Sequence, residues 1–426
     1  MKMEVVVRVV VVAVGSRGDV QPYTALALGL RDAGHEVAVA THETFRPLVT
    51  GTGLEFRPLA ADPRAVVESE AGQRWLASSR NPVTFYRRLL PLAREAALAI
   101  SDDIATAVTG AGLIVYSPLG AAAWHAGQAS GTLAIPAPLV PISVTREFAS
   151  ALSPVPSLGG IGNRVSHVLA DVAIDLPFRR SVNRWRRDRL GLGPVHGFDL
   201  FGRLQREGLP VVNGFSPAIV PRPADWPPNV YVTGAWFLPR DPAWSPPDRL
   251  AAFLDDGPPP VFLGFGSMRP ADLPAVSAAI AEALDRTGLR GVVAAGWAGL
   301  ALDDASDVLV VDEVPHDWLF PRMAAVVHHG GSGTTATALR AGVPSMAVPF
   351  FADQFFWGTR IAALGAGPPA LPVRHLDADR LAARLARPTS DDAMRGRAVG
   401  VGARIAAEDG VGTAVRLLAD LAARVG

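Results

Sequence analysis

Residues 326–358 read VVHHGGSGTTATALRAGVPSMAVPFFADQFFWG. The apolar, β-branched run 324–327 has the composition of a buried strand, and it leads directly into His328, His329, Gly330, Gly331, Ser332, Gly333, Thr334 and Thr335. Glycines permit close backbone approach, while Ser332, Thr334 and Thr335 are suited to start the helix that continues through Ala336 to Gly342 and Pro344. A helix start of this kind offers unpaired N–H groups and the positive end of the helix dipole, so it favours phosphate. The competing reading is a glycine-rich turn with no ligand. The continuation weighs against it: residues 345–349 read as a second short strand that ends in PFFADQ, where Asp353 and Gln354 supply the acceptors and donors needed to bind the hydroxyls of a sugar.

Working outward, a chain of 426 residues suggests two domains of roughly 200 residues, each with its own core. Forty basic residues balance forty acidic ones, which argues against a nucleic-acid partner and for a small molecule. With no cysteine, disulfides, thiolate metal sites and cysteine nucleophiles are all excluded. The apolar run 5–14 is interrupted by Arg8, lacks a cleavage pattern and is too short to span a bilayer. A buried parallel strand accounts for it. The expectation is a cytoplasmic protein without a transmembrane segment, for which peripheral membrane contact and the oligomeric state stay open.

The N-terminal half opens as strand 5–14, loop 15–22, helix 23–33 and strand 36–40, a βαβ unit with Ser16 to Asp19 and His42 at the carboxyl ends of its strands. Further strands are expected at 54–59, 113–116 and 132–135, and a long loop at 137–158. Trp75, Phe85 and Tyr86 are candidates for an apolar pocket, against the ordinary reading that they pack a core. The helical stretch 164–190 carries Arg179, Arg180, Arg184, Arg186, Arg187 and Arg189 and reads as a solvated basic face. Prolines crowd 217–247, which places an N-terminal domain at 1–220, a linker at 221–250 and a C-terminal domain at 251–426. The second half repeats the order of the first, with strand 261–265, the Gly266-Ser267 loop, helix 271–287 and strand 291–295 leading to Trp297. The fold class is therefore α/β, with two doubly wound, Rossmann-like parallel-sheet domains facing each other. The terminal helix is expected to pack back on the N-terminal domain.

The segments GSRGDVQPYTALALGLRDAGHEVAVATH at the N-terminus, VPHDWLF, and HHGGSGTTATALRAGVPSMAVPFFADQFFWGTRIAALGAG resemble the inverting nucleotide-sugar-dependent glycosyltransferases, most closely the sterol glucosyltransferase and antibiotic glycosyltransferase branches. The resemblance implies a GT-B fold with the acceptor held by the N-terminal domain and the donor by the C-terminal one. By position it implies that His329, Gly331, Ser332, Gly333 and Thr334 contact the diphosphate, as does Ser267. Asp353 and Gln354 would hold the sugar, and Val314 and His316 would lie against the base. Arg17, Gly18 and Trp297 are possible further donor contacts, and Trp75, Phe85, Tyr86 and His125 possible acceptor contacts. Where plant members carry a catalytic histidine this chain has Asp19, which the resemblance makes the general base. Its competing role is to cap the following helix, and the two are compatible. Thr337 replaces a glutamate that many members use to bind ribose.

The activity implied is metal-independent transfer of a hexose, from UDP-glucose above other donors, to a hydroxyl of a lipophilic acceptor such as a sterol, polyketide or other natural-product aglycone. The nucleotide sugar is a co-substrate, and no cofactor is expected. Asp377-Ala378-Asp379 has the letters of a metal-binding pair but reads as a helix cap. Competing functions are a non-catalytic nucleotide-sugar-binding protein and an epimerase or hydrolase of the same fold. A dinucleotide oxidoreductase is disfavoured because no GxGxxG follows the first strand. His42 and His125 stand as alternative bases if Asp19 serves only as a cap, although isolated histidines are more often structural.

Overall fold

The computed structural model describes residues 6–60, 71, 87–88, 91, 99–195, 204, 207–296, 299–300 and 307–424. Trp75, Phe85, Tyr86 and Trp297 lie outside the described residues.

The first parallel sheet contains β1 (Arg8–Val12), β2 (Glu36–His42), β3 (Glu55–Leu59), β4 (Leu113–Tyr116) and β5 (Leu133–Pro136), arranged 3-2-1-4-5. Val9 to Val12 are all buried, as expected for a central strand covered on both faces. A short parallel ribbon follows, β6 (Val211–Asn213) with β7 (Val230–Val232). The second sheet contains β8 (Val261–Gly264), β9 (Gly291–Ala294), β10 (Val308–Val311), β11 (Ala325–His328) and β12 (Ser345–Ala347), arranged 10-9-8-11-12. The two orders are equivalent, so the chain uses one doubly wound plan twice. In each sheet the winding reverses between the first strand and the fourth, and the crevice at that point is where such sheets bind ligands. β1 delivers Gly15 to Asp19 there, β8 delivers Gly266 and Ser267, and β11 delivers His329.

The helices that matter below are α1 (Arg17–Asp32), α2 (Ala122–Ser130), α3 (Gly159–Asp175), α4 (Arg179–Leu190), α5 (Leu273–Thr287), α6 (Ser332–Arg340), α7 (Gln354–Ala363), α8 (Ala378–Ser390), α9 (Asp392–Ala406) and α10 (Gly410–Ala423). α10 sets Ala414, Val415, Leu418 and Leu421 into the core of the first sheet, beside Tyr23, Leu26 and Leu30 of α1.

Three expectations need correction. The loop at 15–22 is largely helix, because α1 begins at Arg17 and Pro22 lies inside it. Proline lacks an N–H and fixes a helical φ, so it fits near a helix start at the loss of one bond. Second, the stretch 221–250 is not a bare tether: Trp226, Val230 and Ala235 are buried with Trp357, Ile361 and Val401 of the C-terminal half, so apolar burial draws the proline-rich segment into a shared core. Third, Arg186 does not belong to a solvated face. It is buried, with Nε donating to the Gly193 carbonyl (3.0 Å) and Nη1 to the Gln128 side-chain oxygen (2.7 Å). Fixed acceptors make that burial tolerable for a guanidinium.

Candidate active site

Asp19 occupies the third position of α1. Its Oδ2 accepts hydrogen bonds from the Ser16 backbone N–H (2.8 Å) and the Ser16 hydroxyl (2.9 Å), so the capping role is real. The same contacts fix the carboxylate at the mouth between the domains. Burial pushes its pKa up, opposed by the two bonds from Ser16. Gly15 makes this seat possible. Its φ is +138°, and a Cβ added there would lie 2.4 Å from Asp19 Oδ2. The Gly15 N–H donates to Nε2 of buried His42 (3.1 Å), which ties the turn to the end of β2.

Across the cleft, α6 starts at Ser332 with Gly331 as its cap. His329 lies between two glycine loops: a Cβ on Gly331 would come within 2.5 Å of its Nε2, and one on Gly266 within 3.4 Å of its Cε1. Only residues without a side chain let both loops approach the ring. Burial lowers its pKa to about 4, so the imidazole is neutral near pH 7 and presents one N–H. Its Nδ1 is buried with no hydrogen-bond partner among the described residues, the signature of a group waiting for a polar ligand. Ser267 follows Gly266 at the same end of β8, half-buried. The Ser332 hydroxyl donates to the Leu139 carbonyl (2.9 Å) in the N-terminal half. That bond ties the start of α6 to the N-terminal domain. Thr337, in place of the ribose-binding glutamate, turns its hydroxyl to the Gly333 carbonyl of its own helix (2.9 Å).

The two helix starts meet directly. The Gly18 carbonyl lies 3.7 Å from where a Gly333 Cβ would be, and Arg17 pairs with Glu313 across the gap. His316 stacks on Phe320 at 4.4 Å, with Val314 packed partly buried in the same cluster. Burial, with the nearby positive charge of Arg17, lowers the His316 pKa to about 4.

Asp353 and Gln354 open α7 but do different work. Gln354 is buried, and its Oε1 accepts from the Phe350 N–H (2.7 Å) and the Phe351 N–H (3.3 Å), closing the turn after β12. Ala352 in that turn has φ +54°, a left-handed conformation unusual for a residue with a Cβ. Asp353 accepts from the Trp357 indole N–H (2.9 Å), one helical turn on. Its pKa rises to about 6, mainly through burial, with the Asp19 carboxylate adding to the rise and the Trp357 bond opposing it. That contribution puts the Asp19 and Asp353 carboxylates within electrostatic reach of each other, although roughly three hundred residues separate them in sequence.

His125 lies elsewhere. It is buried on α2 with Nδ1 2.6 Å from Arg186 Nη1 and its ring 4.9 Å from Trp124, an interior polar contact between α2 and α4. Asp377 is a cap as expected, accepting from the Arg380 N–H (2.8 Å). Sequence reasoning placed Ser16 at this end of the sheet but not as the seat of Asp19, and it missed the parts played by Gly15 and Trp357. The four-residue spacing of Asp353 and Trp357 was the available signal for the last.

Two facing Rossmann-like domains, with a seated carboxylate at one switch point and a glycine-lined helix start at the other, define the GT-B fold. Residues 9–130 match the family described as glycosyltransferase family 28 N-terminal domain, and residues 301–419 that described as erythromycin biosynthesis protein CIII-like, C-terminal domain. The chain is 36% identical over 416 residues to a sterol 3-beta-glucosyltransferase of Arabidopsis thaliana, covering 96% of this chain and 67% of that protein. It is 34% identical over 427 residues to one of Neosartorya fischeri, but covers only 29% of that longer protein. Among solved structures, the glycotransferase of kitacinnamycin superposes with a TM-score of 0.70 at 20% identity, covering 99% of this chain and 100% of that one. Glycosyltransferase VinC in complex with DTDP gives 0.68 at 21%, covering 98% and 100%. The chain belongs to the GT-B glycosyltransferases.

Proposed function

We propose that the protein is an inverting, metal-independent glucosyltransferase that moves a hexose from a nucleoside diphosphate sugar, UDP-glucose foremost, to the hydroxyl of a lipophilic, sterol-like acceptor. The observation that carries the reading is the pairing of a buried, Ser16-seated Asp19 with the His329 and α6 cradle across one cleft. In this reading Asp19 takes the acceptor hydroxyl proton as the oxygen attacks the anomeric carbon. The bond from that carbon to the diphosphate oxygen breaks, and its electron pair leaves with the diphosphate. The α6 N-terminus, neutral His329 and Ser267 stabilise the departing charge. A single displacement inverts the anomeric configuration. Burial raises the Asp19 pKa and so makes the carboxylate a better base than it is in water.

Support for a sterol-like acceptor comes from the plant and fungal relatives, and support for hexose transfer comes from the same proteins. A thymidine diphosphate donor is the second reading, favoured by the nucleotide bound to a structure of the same fold. The test is product formation from UDP-glucose and dTDP-glucose with a sterol and a macrolide acceptor, read by mass spectrometry, alongside Asp19→Asn. We expect a glucosylated sterol from UDP-glucose and a loss of roughly 100- to 10,000-fold in kcat for the variant, with nucleotide binding retained. No product with any pair, or full activity in Asp19→Asn, would sink the reading.

A further inference from the structure

Among the described residues, five helices have an aspartate at the cap position, and four of the five carboxylates cap. Asp272, Asp377, Asp391 and Asp409, ahead of α5, α8, α9 and α10, each accept from the backbone N–H three residues on, at Ala275 (3.1 Å), Arg380 (2.8 Å), Met394 (2.8 Å) and Gly412 (3.0 Å). Asp353, ahead of α7, makes no bond to the start of its own helix. Its Oδ2 accepts instead from the Trp357 indole N–H (2.9 Å). A cap is ordinarily stabilising, so the departure needs a cause.

The cause lies in how Trp357 is held. Its side chain is 1% exposed, in the core that both halves of the chain share, with Phe215 from the N-terminal half and Ile361 and Val401 from the C-terminal half. Phe215 meets the indole edge-on at 6.5 Å and Phe356 at 5.3 Å. Close packing fixes a ring of that size in a single orientation. α7 is itself drawn tightly inward, since a Cβ on Gly358 would lie 3.0 Å from the Ala347 Cβ and 2.9 Å from that of Ala370. An indole N–H in an apolar core needs an acceptor, and the Asp353 carboxylate one helical turn back supplies it.

The bond acts on charge as well as on position. Burial pushes the Asp353 pKa up to about 6, the Trp357 bond holds it down, and Asp19 on α1, the charged group that reaches it from another element, adds to the rise. Without the indole the carboxylate would take up a proton at higher pH, and a neutral carboxyl is a weaker acceptor for a hydroxyl than a carboxylate.

We propose that Trp357 is a positioning residue for the donor sugar: gripped by the shared core, its indole N–H holds the Asp353 carboxylate away from its own helix start and ready to accept from a sugar hydroxyl. This role rests on the donor-sugar reading of Asp353 given above. Affinities for UDP-glucose and for UDP are measured by calorimetry over about pH 5–8.5 for wild type, Trp357→Phe and Phe215→Leu, each compared at equal pH. Trp357→Phe removes the donor and keeps an aromatic ring, whereas Phe215→Leu loosens the same core without touching the bond. Trp357→Phe should keep the wild-type affinity for UDP, bind UDP-glucose about tenfold more weakly near pH 7, and lose UDP-glucose on acidification about one pH unit earlier than wild type. Phe215→Leu should lower the melting temperature and leave both affinities and their pH dependence as in wild type. If Trp357→Phe does not fold, benzothienylalanine at the same position, which keeps the two rings and replaces the N–H by sulfur, gives the same readout. Loss of the donor with no change in UDP-glucose affinity or its pH dependence, or an equal change in Phe215→Leu, overturns the proposal. Urea unfolding with and without Asp353→Asn reads the carboxylate directly, and its titration should move up by about one pH unit in Trp357→Phe. If that movement is seen while Asp353→Asn leaves UDP-glucose affinity unchanged, the sugar-binding reading of Asp353 fails and the hold of Trp357 on it stands.

Discussion

Gly15→Ala isolates the geometry on which the proposed chemistry depends. The new Cβ would lie 2.4 Å from Asp19 Oδ2 and 2.7 Å from its Cγ. Ordinary contact begins near 3.4 Å, so the carboxylate must retreat by about 1 Å, and a misplacement of that size costs on the order of 100-fold in rate. The left-handed φ of +138° adds strain of about 1–3 kcal/mol, against a folding stability of roughly 5–15 kcal/mol, so the variant remains folded. Gly34→Ala is the control. It has a φ of +92° with nothing within 4 Å of its new methyl group, and so shares the backbone strain without the collision. The assay is kcat/KM for the acceptor at saturating donor, with calorimetric affinity for the nucleoside diphosphate. Gly15→Ala should lose roughly 100-fold in kcat/KM and keep its nucleotide affinity, while Gly34→Ala should lose stability only. Equal rates in the two variants would refute the idea that the Asp19 seat sets the rate.

Asp353→Asn tests the second carboxylate through pH. Because the folded-state pKa of Asp353 is raised to about 6, its contribution to stability is full below the unfolded value near 3.8 and is lost as pH rises through 6. The asparagine variant should therefore match wild type near pH 4 and exceed it by up to about 3 kcal/mol at pH 8 in urea unfolding; parity at pH 8 would contradict the burial argument. Ala352→Gly relieves a left-handed residue and should be neutral or stabilising by up to about 1 kcal/mol in thermal melts, where most core-adjacent changes to glycine destabilise. His329→Ala should weaken nucleoside diphosphate binding by roughly tenfold, as measured by calorimetry, and lower the melting temperature only through lost packing, since its Nδ1 has no hydrogen-bond partner among the described residues.

Local chemistry determined much of this protein before any contact was known. Apolar runs bounded by glycine loops specified the strands β1, β8 and β11, because a strand buried on both faces needs no polar alternation. The repeated strand, loop and helix order specified two doubly wound domains, and a glycine-rich loop after β11 specified the start of α6. Asp377 was legible as a cap because capping is a contact with an amide three residues on.

What the sequence could not hold is any relation that spans the sheets. Asp19 raises the pKa of Asp353, Gly18 faces Gly333, and Ser332 bonds Leu139, and all three arise only when the two domains face each other. The division of labour between Asp353 and Gln354 was equally hidden, since an amide reads the same whether it binds a ligand or its own backbone. Helix α3 shows the limit most clearly, because it buries the polar Asn163, His167 and Asp171 and exposes Ile161, Val165 and Leu169. Periodicity reveals that a helix has a polar and an apolar side, but which side turns inward was decided by the unpaired backbone of the 137–158 loop, a demand that exists only in the folded chain.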